Sequence, residues 1–251
     1  MWQALGRSTL RRLQAPEAAE RVHVLVGVLV FAASLLATKV SKAQSTSGGP
    51  ESQRAASVVR SAIVQVRVWN DKDHRYSFGT GFPVATGGHI VTVEHILVEG
   101  AKPEVRLAGG TYWYRTRVIR SDIGKDLSLL QIEDSTGLPL LRPLRLAEHA
   151  CFMNSMPLYA YGFLPNERRM LQQPGVVVSA DPNYLLWNGQ VARGYSGGPV
   201  CMPHSDLVIG VVVGKHADTI LGHSEVRPVR DVVAFLRSTS TPVEPVPIGG
   251  E

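Results

Sequence analysis

Short runs of apolar, mostly β-branched residues follow one another along most of the chain, each ended by glycine, asparagine, aspartate or proline. About twelve such runs are present, and their length and composition predict β-strands. Twelve is the number of strands that two six-stranded antiparallel barrels need. Only residues 229–238, VRDVVAFLRS, have helical spacing. We therefore predict an all-β fold of two six-stranded antiparallel barrels with a C-terminal helix.

The spacing of the runs also suggests how the chain is divided. The break between the two barrels is expected in the segment STGLPLLRPLR, which begins at Ser135. The predicted folded domain covers residues 57–238, with barrels over about 57–138 and 139–228 and a closing helix over 229–238. A loose linker rich in Ser, Gly and Gln is predicted over residues 44–56, and a flexible tail over residues 239–251.

An apolar run without a formally charged side chain occupies residues 22–38, preceded by Arg21 and followed by Lys39 and Lys42. Its length lies at the short end for a helix that spans a bilayer and at the long end for the core of a signal peptide. Residues 1–43 are therefore predicted to be a targeting or signal-anchor segment that engages a membrane or a translocon.

Three interpretations of this segment stay open. It is a membrane anchor, a secretory signal cleaved after Ser41-Lys42-Ala43, or a mitochondrial presequence built on the basic residues Arg7, Arg11 and Arg12. All three place the rest of the chain outside the cytosol. We expect an extracytoplasmic protein, secreted or membrane-anchored, with the mitochondrion as the alternative.

Charge and cysteine content exclude several classes of function. The chain carries 26 Lys and Arg against 21 Asp and Glu, a net charge of +5, and no basic stripe interleaved with aromatic residues. Nucleic-acid binding is therefore not expected. The two cysteines, Cys151 and Cys201, are either buried thiols or one disulfide, and the sequence does not decide between them. No HExxH motif or Cys/His pairing at zinc spacing is present, so we expect no metal and no cofactor.

A glycine-rich hexapeptide, Gly194-Tyr195-Ser196-Gly197-Gly198-Pro199, is the strongest chemical signal in the sequence. Glycines around a serine let the backbone turn sharply and approach a substrate closely. The amides of Gly194 and Ser196 would then point into one small space, as in an oxyanion hole. An ordinary glycine-rich turn would have the same sequence, so the hexapeptide needs support from elsewhere.

Two other residues supply that support. His95 follows the apolar run HIVTV, and Asp126 directly precedes the run LSLLQI. Each alone is typical of an exposed histidine or a turn carboxylate. Together with Ser196 they occur in the order His, Asp, Ser, with gaps of 31 and 70 residues. Amide hydrolysis by a hydroxyl needs a base, a group that orients the base, and a nucleophile, and this order is one of those known for such a triad.

Three motifs in order carry a family resemblance. Gly79–Phe82 precedes the segment Val91–His95, Asp126–Leu130 follows, and Gly194–Pro199 comes last. Over roughly residues 57–238 the chain resembles the trypsin-like peptidases of the chymotrypsin clan, and within it most closely the HtrA (high-temperature-requirement) branch. Three motifs in a fixed order are more specific than any one of them.

The resemblance implies a chymotrypsin-like fold and a serine endopeptidase that hydrolyses protein or peptide substrates through an acyl-enzyme. It implies that His95 is the general base and acid, that Asp126 orients it, and that Ser196 is the nucleophile. The backbone amides of Gly194 and Ser196 would form the oxyanion hole. No metal takes part.

The resemblance also places a primary substrate pocket. Gln190 would lie at its base, and Val213, Gly214 and Lys215 would form its wall. No carboxylate occupies the base, so selection for Lys or Arg is not expected. We predict a preference for a small or aliphatic side chain before the scissile bond.

The chain departs from the family pattern at two places. Pancreatic-type members have an aspartate before the nucleophile that receives a new N-terminus after cleavage, whereas this chain has Tyr195. We therefore expect no zymogen-type activation. HtrA proteins usually carry PDZ domains after the protease, and we expect none after residue 238. The alternatives are a catalytically silent barrel that acts as a binding or scaffold module, or a hydrolase that processes one partner; the sequence does not give the oligomeric state.

The N-terminal segment makes the predicted location testable. When protease is added to intact cells or organelles, the folded domain should not show the same protection from digestion as the cytosolic markers. N-terminal sequencing of the mature protein should show whether residues 1–43 are removed. A domain that is protected together with the cytosolic markers would contradict all three interpretations.

Overall fold

The structure is a computed structural model that describes residues 50–97, 102–134, 136, 138, 141–148, 150–181, 184–215 and 222–239. The predicted targeting segment and nearly all of the predicted tail lie outside the described residues. Within those ranges, no helix has the length and apolar character needed to cross a membrane.

The first barrel contains six antiparallel strands. Their bounds are β1 Val64–Asn70, β2 Arg75–Ala85, β3 His89–Thr92, β4 Glu104–Leu107, β5 Tyr114–Asp122 and β6 Leu127–Ile132. They close in the order β1-β2-β3-β6-β5-β4. In β1 the side chains of Val64, Val66 and Val68 are buried on one face. On the other face Gln65 is also buried, Arg67 is half-buried and Trp69 is exposed, so only the second half of the strand shows the alternation of a strand with one buried face.

The second barrel follows a two-residue strand, β7, Arg145–Leu146. Its strands are β8 Pro157–Phe163, β9 Met170–Ala180, β10 Leu185–Trp187, β11 Pro199–Cys201, β12 Leu207–Lys215 and β13 Ser224–Pro228. They run in the order β11-β8-β9-β10-β13-β12, and pairing between β11 and β12 closes the ring. β7 lies outside the ring and pairs in parallel with β12.

The predicted fold class is confirmed. The predicted number of runs, about twelve, agrees with the twelve barrel strands β1–β6 and β8–β13, and β6 and β7 flank the predicted break between the barrels. The helix that closes the described part of the chain, here α2, spans Val229–Arg237, with Val229, Val232, Val233 and Leu236 buried. β7 lies in the proline-containing segment between the barrels, where no strand is predicted.

A helix that precedes the first barrel corrects the predicted linker. Residues 44–56 are expected to be loose, but the structure has a helix, α1, over Pro50–Ala62. Proline is well tolerated in the first turn of a helix, where its missing N–H has no acceptor to lose. Val59 and Ala62 are buried in a hydrophobic cluster with residues of the barrels. This packing fixes the helix even though its average sequence is polar.

The barrels meet at Thr80 of β2, whose side chain is fully buried. Its hydroxyl donates a hydrogen bond to the carbonyl of Gly194 (2.6 Å) and accepts one from the amide of Phe163 (3.0 Å). Its own amide donates to the carbonyl of Ser196 (2.8 Å). A strand of the first barrel therefore holds the loop of residues 193–198, which we call the Gly-rich loop, in place on the second.

Replacing Thr80 tests this link. Thr80→Val keeps the shape of the side chain but leaves one buried carbonyl and one buried amide without partners, which should lower the free energy of unfolding by about 2–4 kcal/mol. Thr80→Ser keeps the hydroxyl and loses only a buried methyl group, so it should cost about 1 kcal/mol. Urea unfolding measures both, and equal losses in the two variants would contradict the role of the hydroxyl.

Candidate active site

Asp126 and His95 are joined directly. The Oδ2 atom of Asp126 lies 2.7 Å from Nδ1 of His95, and Oδ1 accepts hydrogen bonds from the backbone amides of Glu94 (3.0 Å) and His95 (2.9 Å). Both carboxylate oxygens are therefore used. Since an ionised carboxylate can only accept, Nδ1 carries the proton, and Nε2 of the neutral ring is left as an acceptor.

The backbone at Asp126 is unusual because its φ angle is +53°. Few residues other than glycine adopt this left-handed conformation, although aspartate and asparagine tolerate it better than most. The turn Ile123–Asp126 closes with a hydrogen bond from the amide of Asp126 to the carbonyl of Ile123 (3.2 Å). It turns the carboxylate back towards the segment that follows β3, where His95 lies.

The Gly-rich loop requires its glycines. Gly194 and Gly197 have φ angles of +94° and +86°. A Cβ atom at Gly194 would lie 2.3 Å from the carbonyl oxygen of Phe163, and one at Gly197 would lie 2.1 Å from the carbonyl oxygen of Thr80. Both positions are thus limited to glycine by conformation and by space. The tight turn that results carries Ser196.

The backbone amides of the Gly-rich loop differ in whether they donate a hydrogen bond to a backbone carbonyl. Those of Tyr195, Gly197 and Gly198 donate to backbone carbonyls. Among the described residues, no backbone carbonyl accepts a hydrogen bond from the amides of Gly194 or Ser196. These two amides are the ones predicted to form an oxyanion hole. Their hydrogen-bonding capacity is available to a bound group.

His95 and Ser196 line one cleft of about 420 Å³. The hydroxyl of Ser196 makes no hydrogen bond to the ring of His95, although both face the same space. Such bonds are often long in unliganded sites and tighten on binding. The structure thus joins Asp126 to His95 and brings Ser196 to the same cleft.

The cleft is lined mostly by residues that sequence reasoning missed. They are Arg75, Tyr76, Ser77, Phe78, Ile96, Pro165, Asn166 and Arg193. Those on β2 precede the glycine motif at Gly79, and Arg193 precedes Gly194, so proximity to known motifs was a usable signal. Pro165 and Asn166 reach the cleft only through the β8–β9 connection, for which the sequence holds no local signal.

The four residues of the predicted primary pocket do not line this cleft. Gln190 is exposed, Val213 and Gly214 are half-buried, and the side chain of Lys215 lies outside the described part of the structure. The pocket formed by these four residues stays a prediction.

Tyr195 occupies the position before the candidate nucleophile and is buried, with 3% of its surface exposed. A Cβ atom at Gly162 would lie 2.7 Å from Cγ of the Tyr195 ring, so Tyr195 packs closely against the strand β8. Burial raises the pKa of its phenol. The side chain is therefore a neutral, packed group and offers no charge to an incoming N-terminus.

Among the described residues, neither a cysteine nor a cluster of metal ligands lines the cleft. Cys151 is exposed and Cys201 buried, and both are free thiols. Burial raises the pKa of the Cys201 thiol well above its ordinary value, which makes it a poor nucleophile. Within the described residues, no three His, Cys, Asp or Glu side chains are grouped to hold a metal ion.

The comparisons with known proteins agree with this geometry. The family described as trypsin-like peptidase domain matches residues 79–211, a range that includes His95, Asp126 and Ser196. Serine protease HTR4 of Rattus norvegicus is 30% identical over 163 residues, which cover 61% of this chain and 33% of the relative. Serine protease HTRA4 of Mus musculus has the same identity and coverage. The chain therefore spans about a third of the length of these curated relatives.

A solved structure extends the likeness to the fold. The Rv3671c protease from M. tuberculosis, in its active form, matches with a TM-score of 0.64 at 19% sequence identity. The match covers 78% of this chain and 88% of that one. At this identity the comparison supports the two-barrel architecture alone.

The burial of Tyr195 leads to a stability prediction. Tyr195→Asp would place a carboxylate without a partner among apolar side chains, so we expect it to lower the free energy of unfolding by at least about 3 kcal/mol. Tyr195→Phe keeps the ring and should change it by no more than about 1 kcal/mol. Urea unfolding of both variants measures the difference, and a stable Tyr195→Asp variant would show that this site accepts a charge.

Proposed function

Because the chain belongs to the trypsin-like peptidase family, we propose that it is a serine endopeptidase that cleaves peptide bonds through an acyl-enzyme. The observation that carries the proposal is the hydrogen bond between Asp126 Oδ2 and His95 Nδ1, made beside a cleft that Ser196 shares. This bond leaves Nε2 of His95 as the acceptor that a serine hydroxyl needs.

In the first half of the proposed reaction, Ser196 Oγ attacks the carbonyl carbon of the scissile bond. Nε2 of His95 takes the hydroxyl proton, and Asp126 stabilises the imidazolium that forms. The carbonyl oxygen becomes an oxyanion, which the amides of Gly194 and Ser196 would bind. The C–N bond then breaks, the imidazolium gives its proton to the leaving amine, and an ester to Ser196 remains.

In the second half, a water molecule attacks the ester carbon and gives a proton to Nε2 of His95. The same two amides would stabilise the second oxyanion. Collapse of this intermediate returns the proton to Oγ of Ser196 and releases the carboxylic acid. The balance of the two halves is hydrolysis of one peptide bond, and it needs no cofactor.

Asp126 acts in this proposal as an anchor as well as a charge. Its Oδ1 atom holds the backbone of Glu94 and His95, while Oδ2 holds the ring. Rotation of the imidazole would therefore break a charge-assisted hydrogen bond to a carboxylate that two backbone amides hold in place. This arrangement supports a fixed tautomer better than the ring bond alone would.

Substrate preference follows from the predicted pocket. We infer that Gln190, with Val213, Gly214 and Lys215 as a wall, accepts a small or aliphatic side chain, because no carboxylate is among them to pair with Lys or Arg. The protein or peptide substrate would be met outside the cytosol if the N-terminal segment acts as its sequence predicts.

A fluorophosphonate probe, which labels activated serines, tests the proposal. We expect the wild type to be labelled on Ser196 and Ser196→Ala to be unlabelled, with Ser57→Ala, an exposed serine of α1, as the matched control that stays labelled. Folding of each variant is checked by urea unfolding. Folded wild-type protein without labelling would contradict the proposal and favour the silent binding barrel.

Asp126→Asn refines the same test. Asparagine tolerates the positive φ angle and can still accept at one oxygen. Its side-chain NH2 group, however, can only donate a hydrogen bond. It would favour the tautomer of His95 in which Nδ1 accepts and Nε2 carries the proton. Peptidase turnover should then fall by a factor on the order of 10⁴ without loss of fold.

A further inference from the structure

The lining of the cleft carries charge of one sign. Of the residues that the structure describes, eleven line it; two of these, Arg75 and Arg193, carry guanidinium groups, and none of the eleven is acidic. A cleft lined by one sign of charge raises the local concentration of groups of the opposite sign. The sequence analysis gave neither arginine a role.

Of the two arginines, Arg193 is nearer in the chain to the candidate oxyanion hole, because it directly precedes Gly194. Its side chain is exposed, and among the described residues it has no ion-pair partner. The amide of Gly194 is one of the two that face the reacting carbonyl in the proposed reaction. Arg193 therefore precedes one of these amides in the chain and lines the same cleft.

Arg75 begins β2 and forms only a weak ion pair. Its Nη2 atom lies 3.4 Å from Oδ2 of Asp73, and the two side chains are 72% and 48% exposed. An exposed pair of this kind contributes little and exchanges easily for another carboxylate. Asp73 itself does not line the cleft.

The described carboxylates near the site do not line the cleft. Glu94, which precedes His95, is half-buried and is not among the lining residues. Asp126 is fully committed to His95 and to two backbone amides. Glu167 is exposed, does not line the cleft, and is followed by the exposed Arg168 and Arg169. The connection between β8 and β9 therefore brings no described carboxylate into the lining of the cleft.

We propose that Arg75 and Arg193 select substrates that carry aspartate or glutamate close to the scissile bond. The inference rests on the proposed function and deepens it by naming a substrate class. An extended peptide advances about 3.3–3.6 Å per residue, so a carboxylate within about three residues of the bond lies within reach of an arginine at the cleft. Arginine binds carboxylates through two parallel hydrogen bonds.

Peptide cleavage tests the proposal. Full-length wild type is incubated with a library of peptides from denatured proteins, and cleavage sites are identified by mass spectrometry. We expect Asp and Glu to be enriched within three residues of the cleaved bonds. For matched synthetic pairs, the Glu peptide should be cut about fivefold faster than the Gln peptide, the size typical of an exposed charge pair. Raising the ionic strength should reduce this ratio.

Three variants make the test specific. Arg193→Glu should replace the acidic preference with a preference for Lys or Arg, and Arg75→Gln should weaken it. Arg142→Gln, an exposed arginine that does not line the cleft, should leave it unchanged. Arg142→Gln should be labelled by the fluorophosphonate probe as the wild type is. For every variant the preference is measured as the ratio of the Glu-peptide rate to the Gln-peptide rate, so that it does not depend on the overall rate of that variant.

The outcomes separate the two proposals. Labelled enzyme whose cleavage sites show no acidic enrichment, or whose preference is unchanged in Arg193→Glu, would overturn the selection by these arginines and leave the serine peptidase intact. Labelled enzyme that cuts no peptide of the library would overturn it as well. Wild-type protein that is folded but unlabelled would overturn the proposed function, and the inference with it.

Discussion

The backbone and side chain of Thr80 connect the parts of the site that come from different barrels. Its hydroxyl holds the carbonyl of Gly194, and its amide holds the carbonyl of Ser196. Its own carbonyl accepts a hydrogen bond from the hydroxyl of Thr92 (2.8 Å), at the end of the strand that leads to His95. One buried residue therefore sets the distance between the segment with the base and the segment with the nucleophile. The rest of the site depends on that distance.

Most of the fold could be predicted because strands leave a local signal. Short apolar runs, several of them rich in Val, mark most of the barrel strands, and the spacing of Val229, Val232, Val233 and Leu236 marks α2. α1 could not be predicted in the same way, since its segment is polar on average and is held by the burial of a few side chains. β7, only two residues long, pairs with Leu207 and Val208 at the start of β12, outside the part of β12 that pairs with β13, and this is a tertiary effect.

The residues of the candidate site also fall into those with a local sequence signal and those that only the tertiary structure brings to the site. His95, Asp126 and Ser196 were predictable because each lies at the end of a recognisable strand or in a glycine motif, in an informative order. The contribution of Thr80 was not predictable, since an isolated threonine in a strand carries no signal of what its hydroxyl will meet. The same holds for Asn166 and the other residues that reach the cleft from the β8–β9 connection, because only the closed barrel brings them there.

Val212 of β12 joins the Gly-rich loop to the second barrel by backbone hydrogen bonds. Its carbonyl accepts a hydrogen bond from the amide of Gly197 (2.8 Å), and its amide donates to the carbonyl of Gly198 (2.9 Å). The loop is therefore joined to a strand that also pairs with β11 and β13. In terms of native-state dynamics, it belongs to the same cooperative unit as the second barrel. The position of Ser196 is then kept for as long as the barrel itself stays closed, and local fraying does not release it.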